Sequence, residues 1–312
     1  MTNKRLFLID AMALIYRSYY ALIKSPRITS TGINTSATFG FTNFLLDLIN
    51  KEKPTHLAVC TDTFAATFRH EAYEDYKANR EAMPEDIANN LPFIQELLKG
   101  FKIPLIYCDG YEADDIIGTI AKKAEKDGYE VFMVTPDKDF CQLVTKNIKV
   151  YKPAYGRNPF KILGEKEVCE KYGLKNTLQM IDYLGLIGDA SDNIPGVKGV
   201  GPVSAKKLLS KYDNIENILD NVENIKNKSL KQKLIDGKKD AIFSKELVTI
   251  DTNVPCNYNI DSFVTEDLVY DNVKDLFEKL EFRSIAKRLV TEESLQQNTQ
   301  TNTKQNNDDL NI

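Results

Sequence analysis

Leu6-Phe7-Leu8-Ile9-Asp10 sets four consecutive apolar residues before an acid. The same sentence is written twice more. Leu57-Ala58-Val59-Cys60-Thr61 runs into Asp62, and Val131-Phe132-Met133-Val134-Thr135 runs, through Pro136, into Asp137. Each run is short and rich in β-forming residues, as strands buried on both faces are. A fourth run, Ile103-Pro104-Leu105-Ile106-Tyr107, leads after Asp109-Gly110 into Glu112. Helical patterns over 37–50, 85–99 and 113–126 lie between the runs. This alternation predicts an α/β fold, a mostly parallel sheet flanked by helices. Ligands of such sheets gather at the C-terminal strand ends, where these acids fall.

Beyond about residue 175 the pattern changes. Short helices and Asn/Lys-rich turns dominate, and only Leu247-Val248-Thr249-Ile250 reads as a strand. The stretch 221–239 is polar and alternates in charge, the mark of a solvated helical surface. A small helical region is therefore expected over 176–290, after an α/β domain over 1–175. From 291 to 312 the chain is rich in Gln, Asn and Thr without periodicity, and disorder is expected there.

The 312 residues are 42% hydrophobic and 28% charged, ordinary for a globular protein. No stretch approaches the ~18 apolar residues of a membrane span. Lys4 and Arg5 before an apolar run imitate a signal peptide, but Asp10 breaks that run and Arg17 follows. Five cysteines without a CxxC argue against a disulfide framework and a thiolate zinc site, and reduced cytoplasm fits.

Nine acids recur in tight groups: Asp10; Asp62; Glu112, Asp114 and Asp115; Asp137 and Asp139; Asp189 and Asp192. Any one of them alone reads as a helix cap or a loop acid. Together, strand ends and helix starts deliver them to one edge of one sheet. Crowded carboxylates stay ionised only beside cations. An oxygen-only ligand set selects hard ions, Mg²⁺ or Mn²⁺, and two of them suit in-line phosphoryl displacement. With two histidines and no Ser-His-Asp grouping, metal-activated water is the expected nucleophile. Setting the nine acids aside leaves 36 acids against 41 bases, so the formal charge of -4 does not exclude a polyanion.

Two further stretches suit nucleic acid. Phe64 to Pro84 sets Arg69, Lys77 and Arg80 among Phe64, Phe68, Tyr73 and Tyr76. Taken alone it reads as an amphipathic surface helix. Directly after Asp62 it reads as a helical gateway over about 64–95, with cations for phosphates and rings for unpaired bases. Gly196-Val197-Lys198-Gly199-Val200-Gly201-Pro202 precedes a helix carrying Lys206 and Lys207. Pro202 suits a first helical position, and backbone N–H groups of such a turn can hold a phosphate without reading sequence.

These residues resemble a known family. Leu8-Ile9-Asp10 with Tyr16-Arg17, Thr67-Phe68-Arg69-His70-Glu71, Tyr76-Lys77-Ala78-Asn79-Arg80, Gly110-Tyr111-Glu112-Ala113-Asp114-Asp115, Asp137-Lys138-Asp139 and Gly188-Asp189-Ala190-Ser191-Asp192-Asn193-Ile194-Pro195-Gly196-Val197 look like the 5′–3′ exonuclease domain of bacterial DNA polymerase I. That domain belongs to the structure-specific 5′-nuclease, or flap endonuclease, superfamily. The resemblance runs from about residue 4 to 290. It implies a PIN-like nuclease core and a helix–hairpin–helix (SAM-like) region. Asp10, Asp62, Glu112, Asp114 and Asp115 would surround one metal, and Asp137, Asp139, Asp189 and Asp192 a second. Lys77 and Arg80 would be catalytic, beside the scissile phosphate. Arg69, Tyr76, Gly196, Lys198, Gly199, Gly201, Lys206 and Lys207 would hold DNA. Two or more Mg²⁺, replaceable by Mn²⁺, are implied, with K⁺ under carbonyl oxygens of the hairpin. The implied substrates are branched, nicked and 5′-flap DNA and RNA-primer ends, met by a monomer in the bacterial nucleoid, away from membranes. Ala11 and Pro136 stand where the family usually has Gly, but neither removes a ligand. Polymerase domains usually follow in the family, in cis; a stand-alone nuclease and an N-terminal portion are the two expectations here. The rivals to a nuclease are a catalytically silent DNA-binding module that tethers a polymerase, which predicts missing acids, and an RNA-directed metal nuclease, which needs neither hairpin nor gateway.

Overall fold

The apolar runs become strands because both of their faces are covered. In the computed structural model, which describes residues 4–153 and 160–292, β1 (Arg5–Asp10), β2 (His56–Cys60), β3 (Leu105–Ile106), β4 (Glu130–Val134), β5 (Ile148–Lys152) and β6 (Lys161–Leu163) form one sheet in the order β3-β2-β1-β4-β5-β6. β4 pairs in parallel with β1 and β5, and β6 returns antiparallel along β5. Leu6 to Ile9 and Val131 to Val134 are buried, and Phe7 stacks on Phe132 with ring centroids 4.5 Å apart. The order changes direction between β1 and β4. Neighbouring connections part at such a switch point and leave room for a ligand beyond the strand ends.

The helices are α1 (Ala11–Leu22), α2 (Ser36–Glu52), α3 (Phe68–Ala72), α4 (Glu85–Gly100), α5 (Ala113–Lys126), α6 (Glu165–Tyr172), α7 (Gln179–Ile187), α8 (Pro202–Tyr212), α9 (Ile215–Asp220), α10 (Lys228–Asp236), α11 (Lys238–Val248) and α12 (Lys274–Lys279). Residues 283–292 are also helical. The packing resolves two compact units. One takes its described residues from 1–13, 59–82 and 106–259, the other from 14–58, 83–105 and 260–312.

In the first unit α5 lays Ile116, Ile117, Ile120, Ala121 and Ala124 against β1 and β4, a helical stripe facing the sheet. α7 packs on α8 and α11. A Cβ at Gly185 would stand 3.1 Å from the Cα of Lys245, so a glycine permits the close α7–α11 crossing. In the second unit α2 packs on α4. Asn90, buried between them, accepts from the Thr38 N–H at 3.1 Å and donates to the carbonyls of Asn34 and Asp86, each at 2.7 Å. Among the described residues no helix is long and apolar enough to cross a membrane.

Three expectations are corrected. Leu247-Val248 ends α11 rather than forming a strand. Ala241, Ser244, Leu247 and Val248 form its buried face, and packing on α7 outweighs their β preference. The gateway is not one helix: α3 has five residues, Tyr73 is extended and Lys77 is left-handed with φ 56°. β5 and β6 escaped the sequence reading because Lys149, Lys152 and Lys161 interrupt their apolar residues. The tail expected from 291 lies, from 293 onward, outside the described residues.

Gly188 closes α7 at φ 73°, ψ -177°, a conformation nearly confined to glycine. A Cβ there would stand 2.4 Å from the Ile194 carbonyl oxygen. Gly188→Ala should therefore cost about 1–3 kcal/mol from backbone strain alone, read as a lower urea midpoint. An unchanged midpoint would show that the turn accepts a side chain.

Candidate active site

Each strand-end acid is held by a neighbouring element. Asp10, closing β1, accepts from the Ala13 N–H at 3.1 Å through Oδ1 and from the Thr135 hydroxyl at 2.9 Å through Oδ2, which ties β1 to the end of β4. Asp62, two residues past β2, accepts from the Ala113 N–H at 2.9 Å, docking on the N-terminus of α5. The Thr135 hydroxyl accepts from the Asp137 N–H at 3.1 Å, and Asp137 Oδ1 accepts from the Asp139 N–H at 2.9 Å. These turns set both acids directly beyond β4.

At the start of α5, Glu112 is the N-cap, and Asp115 Oδ2 accepts from its N–H at 3.2 Å in a reciprocal capping box. Asp115 has no exposed surface. Its oxygens also take Arg69 Nη1 at 2.7 Å, Arg69 Nη2 at 2.8 Å and the Asp251 N–H at 2.8 Å. The same guanidinium donates to the carbonyls of Leu247 and Thr249, each at 2.8 Å. Asp115 thus has no oxygen left for a metal, and Arg69, 2% exposed, has no face left for DNA. Both were expected at the ligand; both are instead the internal clasp of α3, α5 and the end of α11.

The segment 75–80 is sewn to the loop 189–193. The Lys77 N–H donates to the Asp192 carbonyl at 3.0 Å, Asn79 Nδ2 to the Ala190 carbonyl at 2.6 Å, and Asn193 Nδ2 to the Asp75 carbonyl at 2.7 Å. Lys77 Nζ reaches Glu112 Oε1 at 2.6 Å and stands 3.8 Å from Asp192 Oδ2, while Arg80 donates to Asp192 Oδ1. The two cations share one acid without sharing a helix. Tyr76 was expected to stack on a base, but it is 4% exposed and its hydroxyl donates to Glu112 Oε2 at 3.0 Å. The open rings of the stretch are Phe64, 90% exposed, and Phe68. His70 accepts from the Thr67 N–H at 3.3 Å and caps α3.

Burial crowds like charges here. It lifts Asp10 to about 7, with Asp62 beside it, and lifts Asp139 to about 8, with Asp137 beside it. Asp114 is raised as well, first by burial and then by Asp137 and Asp10. Burial also opposes ionisation of Asp189, but hydrogen bonds from Lys138 and Ser191 prevail and hold it low. Among the described residues no three His, Cys, Asp or Glu side chains already form a metal cage. Lysine and arginine heads stand among the carboxylates: Lys77 on Glu112, Arg80 on Asp192, and Lys138 on Asp189. Yet Asp139 Oδ1 is buried without a hydrogen-bond partner. An oxygen-only set of acids, with one buried carboxylate oxygen lacking a donor, fits a hard divalent cation.

The hairpin between α7 and α8 is built as expected at Gly199, whose φ is 78°, and at Pro202, the first residue of α8. Lys198 and Gly199 are exposed, as is Lys207, while Lys206 is half-buried. Gly201 caps α8 with open space beside its Cα. Gly196 departs from its expected role. It is buried, its N–H donates to Ser244 Oγ at 2.9 Å, and a Cβ would stand 2.3 Å from the Gly188 nitrogen. It permits a close backbone crossing and has no N–H to offer a phosphate. Lys138, Asn79, Ser191 and Lys233, which donates to the Gly199 carbonyl at 3.1 Å, are partners the sequence reading did not single out. For Lys138 the signal was there: a lysine between two candidate ligands.

A mostly parallel sheet with acids at its switch point, followed by a glycine hairpin between two helices, is the frame of a nuclease core. The chain belongs to the 5′–3′ exonuclease family: residues 5–173 match its N-terminal resolvase-like domain and residues 176–271 its C-terminal SAM fold. It is a nuclease by family. DNA polymerase I of Bacillus subtilis (strain 168) is 40% identical over 288 residues, 92% of this chain and 32% of the relative. DNA polymerase I of Borreliella burgdorferi is 37% identical over 276 residues, covering 88% of this chain and 30% of the relative. The chain thus spans about a third of the length of these relatives. In fold it is similar to T5 5′-exonuclease with bound zinc (TM-score 0.68, 21% identity, 88% of this chain and 99% of that one). It is also similar to the catalytic core of Rad2 in complex with DNA substrate (TM-score 0.60, 20% identity, 89% and 88%).

Removing Arg69 strands a charge with no water around it. Arg69→Ala should cost about 3–5 kcal/mol, the scale for breaking a buried pair, measured by urea unfolding. If the variant kept wild-type stability and lost only DNA affinity, Arg69 would be a ligand contact and not a clasp.

Proposed function

We propose that this chain hydrolyses phosphodiesters in DNA at 5′ flaps, nicks and RNA-primer ends, with Mg²⁺ as the working ion and Mn²⁺ as a substitute. The observation that carries the reading is the buried Asp139 Oδ1, which has no hydrogen-bond partner, among acids gathered beyond the strand ends and beside a cationic segment sewn to the loop 189–193.

Asp10, Asp62, Glu112 and Asp114 would hold one divalent ion, and Asp137, Asp139, Asp189 and Asp192 the other. When bound, the ions supply water activation and neutralise charge on the transferring phosphoryl oxygens. The chain's own residues position the substrate. Lys77, now on Glu112, would face the scissile phosphate, and Arg80 stands beside it on Asp192. Phe64 and Phe68 offer rings to unpaired bases. Lys198, Gly199, Gly201 and Lys207, with the partly covered Lys206, hold duplex phosphates at the N-terminus of α8. A K⁺ at the hairpin would share the Gly199 carbonyl with Lys233. The chain would act as a monomer in the cytoplasm, with a catalytic domain to 175 and a duplex-gripping domain over 176–290. It would work beside polymerase domains, as its similarity to DNA polymerase I suggests.

Cleavage of a labelled 5′-flap duplex should require Mg²⁺ or Mn²⁺ and stop in EDTA, with the circular dichroism of the fold unchanged. Asp137→Ala and Asp189→Ala should each lower turnover by ~10²-fold or more while flap affinity persists. Full cleavage in excess EDTA, or equal loss of binding and turnover in both variants, would overturn the assignment.

Lys77→Ala should lower kcat and kcat/KM together, by about 10²–10³-fold, as loss of one preorganised charge at a developing oxyanion does. Single-turnover cleavage at saturating enzyme removes binding from the rate. A rate within about threefold of wild type there would assign Lys77 to the rim alone, well short of the ~10²-fold electrostatic role.

A further inference from the structure

Lys138 sits between two acids in sequence and between two acids in space. It precedes the 3₁₀ turn Asp139–Leu143. Its ammonium donates to Asp189 Oδ2 and stands 3.7 Å from Asp139 Oδ1. That distance is an ion contact and not a hydrogen bond, and Asp139 Oδ1 indeed has no hydrogen-bond partner. The other Asp189 oxygen is satisfied from its own loop, by the Ser191 N–H at 2.9 Å and hydroxyl at 2.7 Å. Lys138 therefore supplies the positive charge on this pair, and it supplies it incompletely.

Its placement also leaves it a way out. The Lys138 side chain is 34% exposed, against 11% for Asp139 and 7% for Asp189. Arg69 is the opposite case: 3% exposed, with every partner internal, it cannot leave without unfolding its surroundings. A lysine is a point charge on a flexible stem, suited to a contact that breaks and re-forms.

We propose that Lys138 is the resident counter-cation of the second ion position, and that a divalent ion enters there by displacing its ammonium. This rests on the reading of Asp139 and Asp189 as holders of that ion. Two consequences follow. The metal-free protein relies on Lys138 to keep a buried acid pair tolerable. The affinity of the second position is set in part by a competition inside the protein, between the ion and the ammonium on Asp189. Once displaced, the ammonium lies at the mouth, where a phosphate arrives.

The test is Mn²⁺ binding to the full chain without DNA, followed by calorimetry and by the electron paramagnetic resonance of free Mn²⁺. Lys138→Met keeps the stem and removes the charge. One of its Mn²⁺ dissociation constants should fall by about tenfold, a difference of 1.4 kcal/mol. The metal-free variant should melt lower than wild type and recover more on adding Mn²⁺. Lys138→Arg, which keeps the charge, should stay within about twofold of wild type, well inside the tenfold step. A folded Lys138→Met with unchanged or weaker Mn²⁺ affinity overturns the proposal, as does equal tightening in Lys138→Arg. The double variant Asp139→Asn, Asp189→Asn separates the two readings. If it binds as many Mn²⁺ as wild type, the acids do not hold the ion, and the wider assignment fails with the proposal. If it loses one Mn²⁺ while Lys138→Met binds unchanged, only the role of Lys138 falls.

Discussion

A buried ion pair holds this site in shape. Asp115 has given up all contact with water and takes four hydrogen bonds in return, from two Arg69 nitrogens and two backbone N–H groups. Arg69 spends its remaining reach on two carbonyls at the end of α11. Such a pair adds little net stability over a well-packed apolar substitute, but breaking it is expensive. What it supplies is position. It fixes the first turn of α5, and so the backbone of Glu112 and Asp114. It also fixes α3, from which the segment bearing Lys77 departs.

Around that clasp the chemistry is one of unmet charge. Acids with many donors, Asp115 and Asp189, serve architecture or carry an internal cation. Acids with few donors, Asp10, Asp114 and Asp139, are driven toward protonation by burial and by neighbouring acids, Asp137 among them in each case. A cation relieves that penalty at once, so the cost of crowding is stored in the protein and released on binding. Donor count sets Asp115, with four hydrogen bonds, apart from Asp10, Asp114 and Asp139.

Much of this was legible in the chain. The three apolar runs ending in acids read as parallel strands because burial on both faces leaves no alternation to obscure them. Glu85 and Ala113 were visible helix starts, each with acids in the first turn. β5 and β6 were hidden by the lysines that interrupt their apolar residues, among them Lys149, which pairs with Glu130 on β4. The irregular path of 73–80 was hidden for another reason. Its shape comes from hydrogen bonds to a loop more than a hundred residues away, which no local pattern encodes. The roles of Arg69, Tyr76 and Gly196 were misread alike: a cation, a ring and a glycine near a phosphate site look like ligands until burial is known.

The seam between 75–80 and 189–193 has a bearing on how the protein is made. Arg80 and Asp192 are 112 residues apart in the chain, and Arg69 and Thr249 are 180 apart. Domains fold as they leave the ribosome, the N-terminal part first. A nascent chain that has emerged only through the sheet has its strand-end acids but not Asp189, Asp192 or the loop that pins Lys77. The nine acids are therefore all present only once residue 192 has been made, and the clasp that fixes α3 and α5 only once residue 249 has followed.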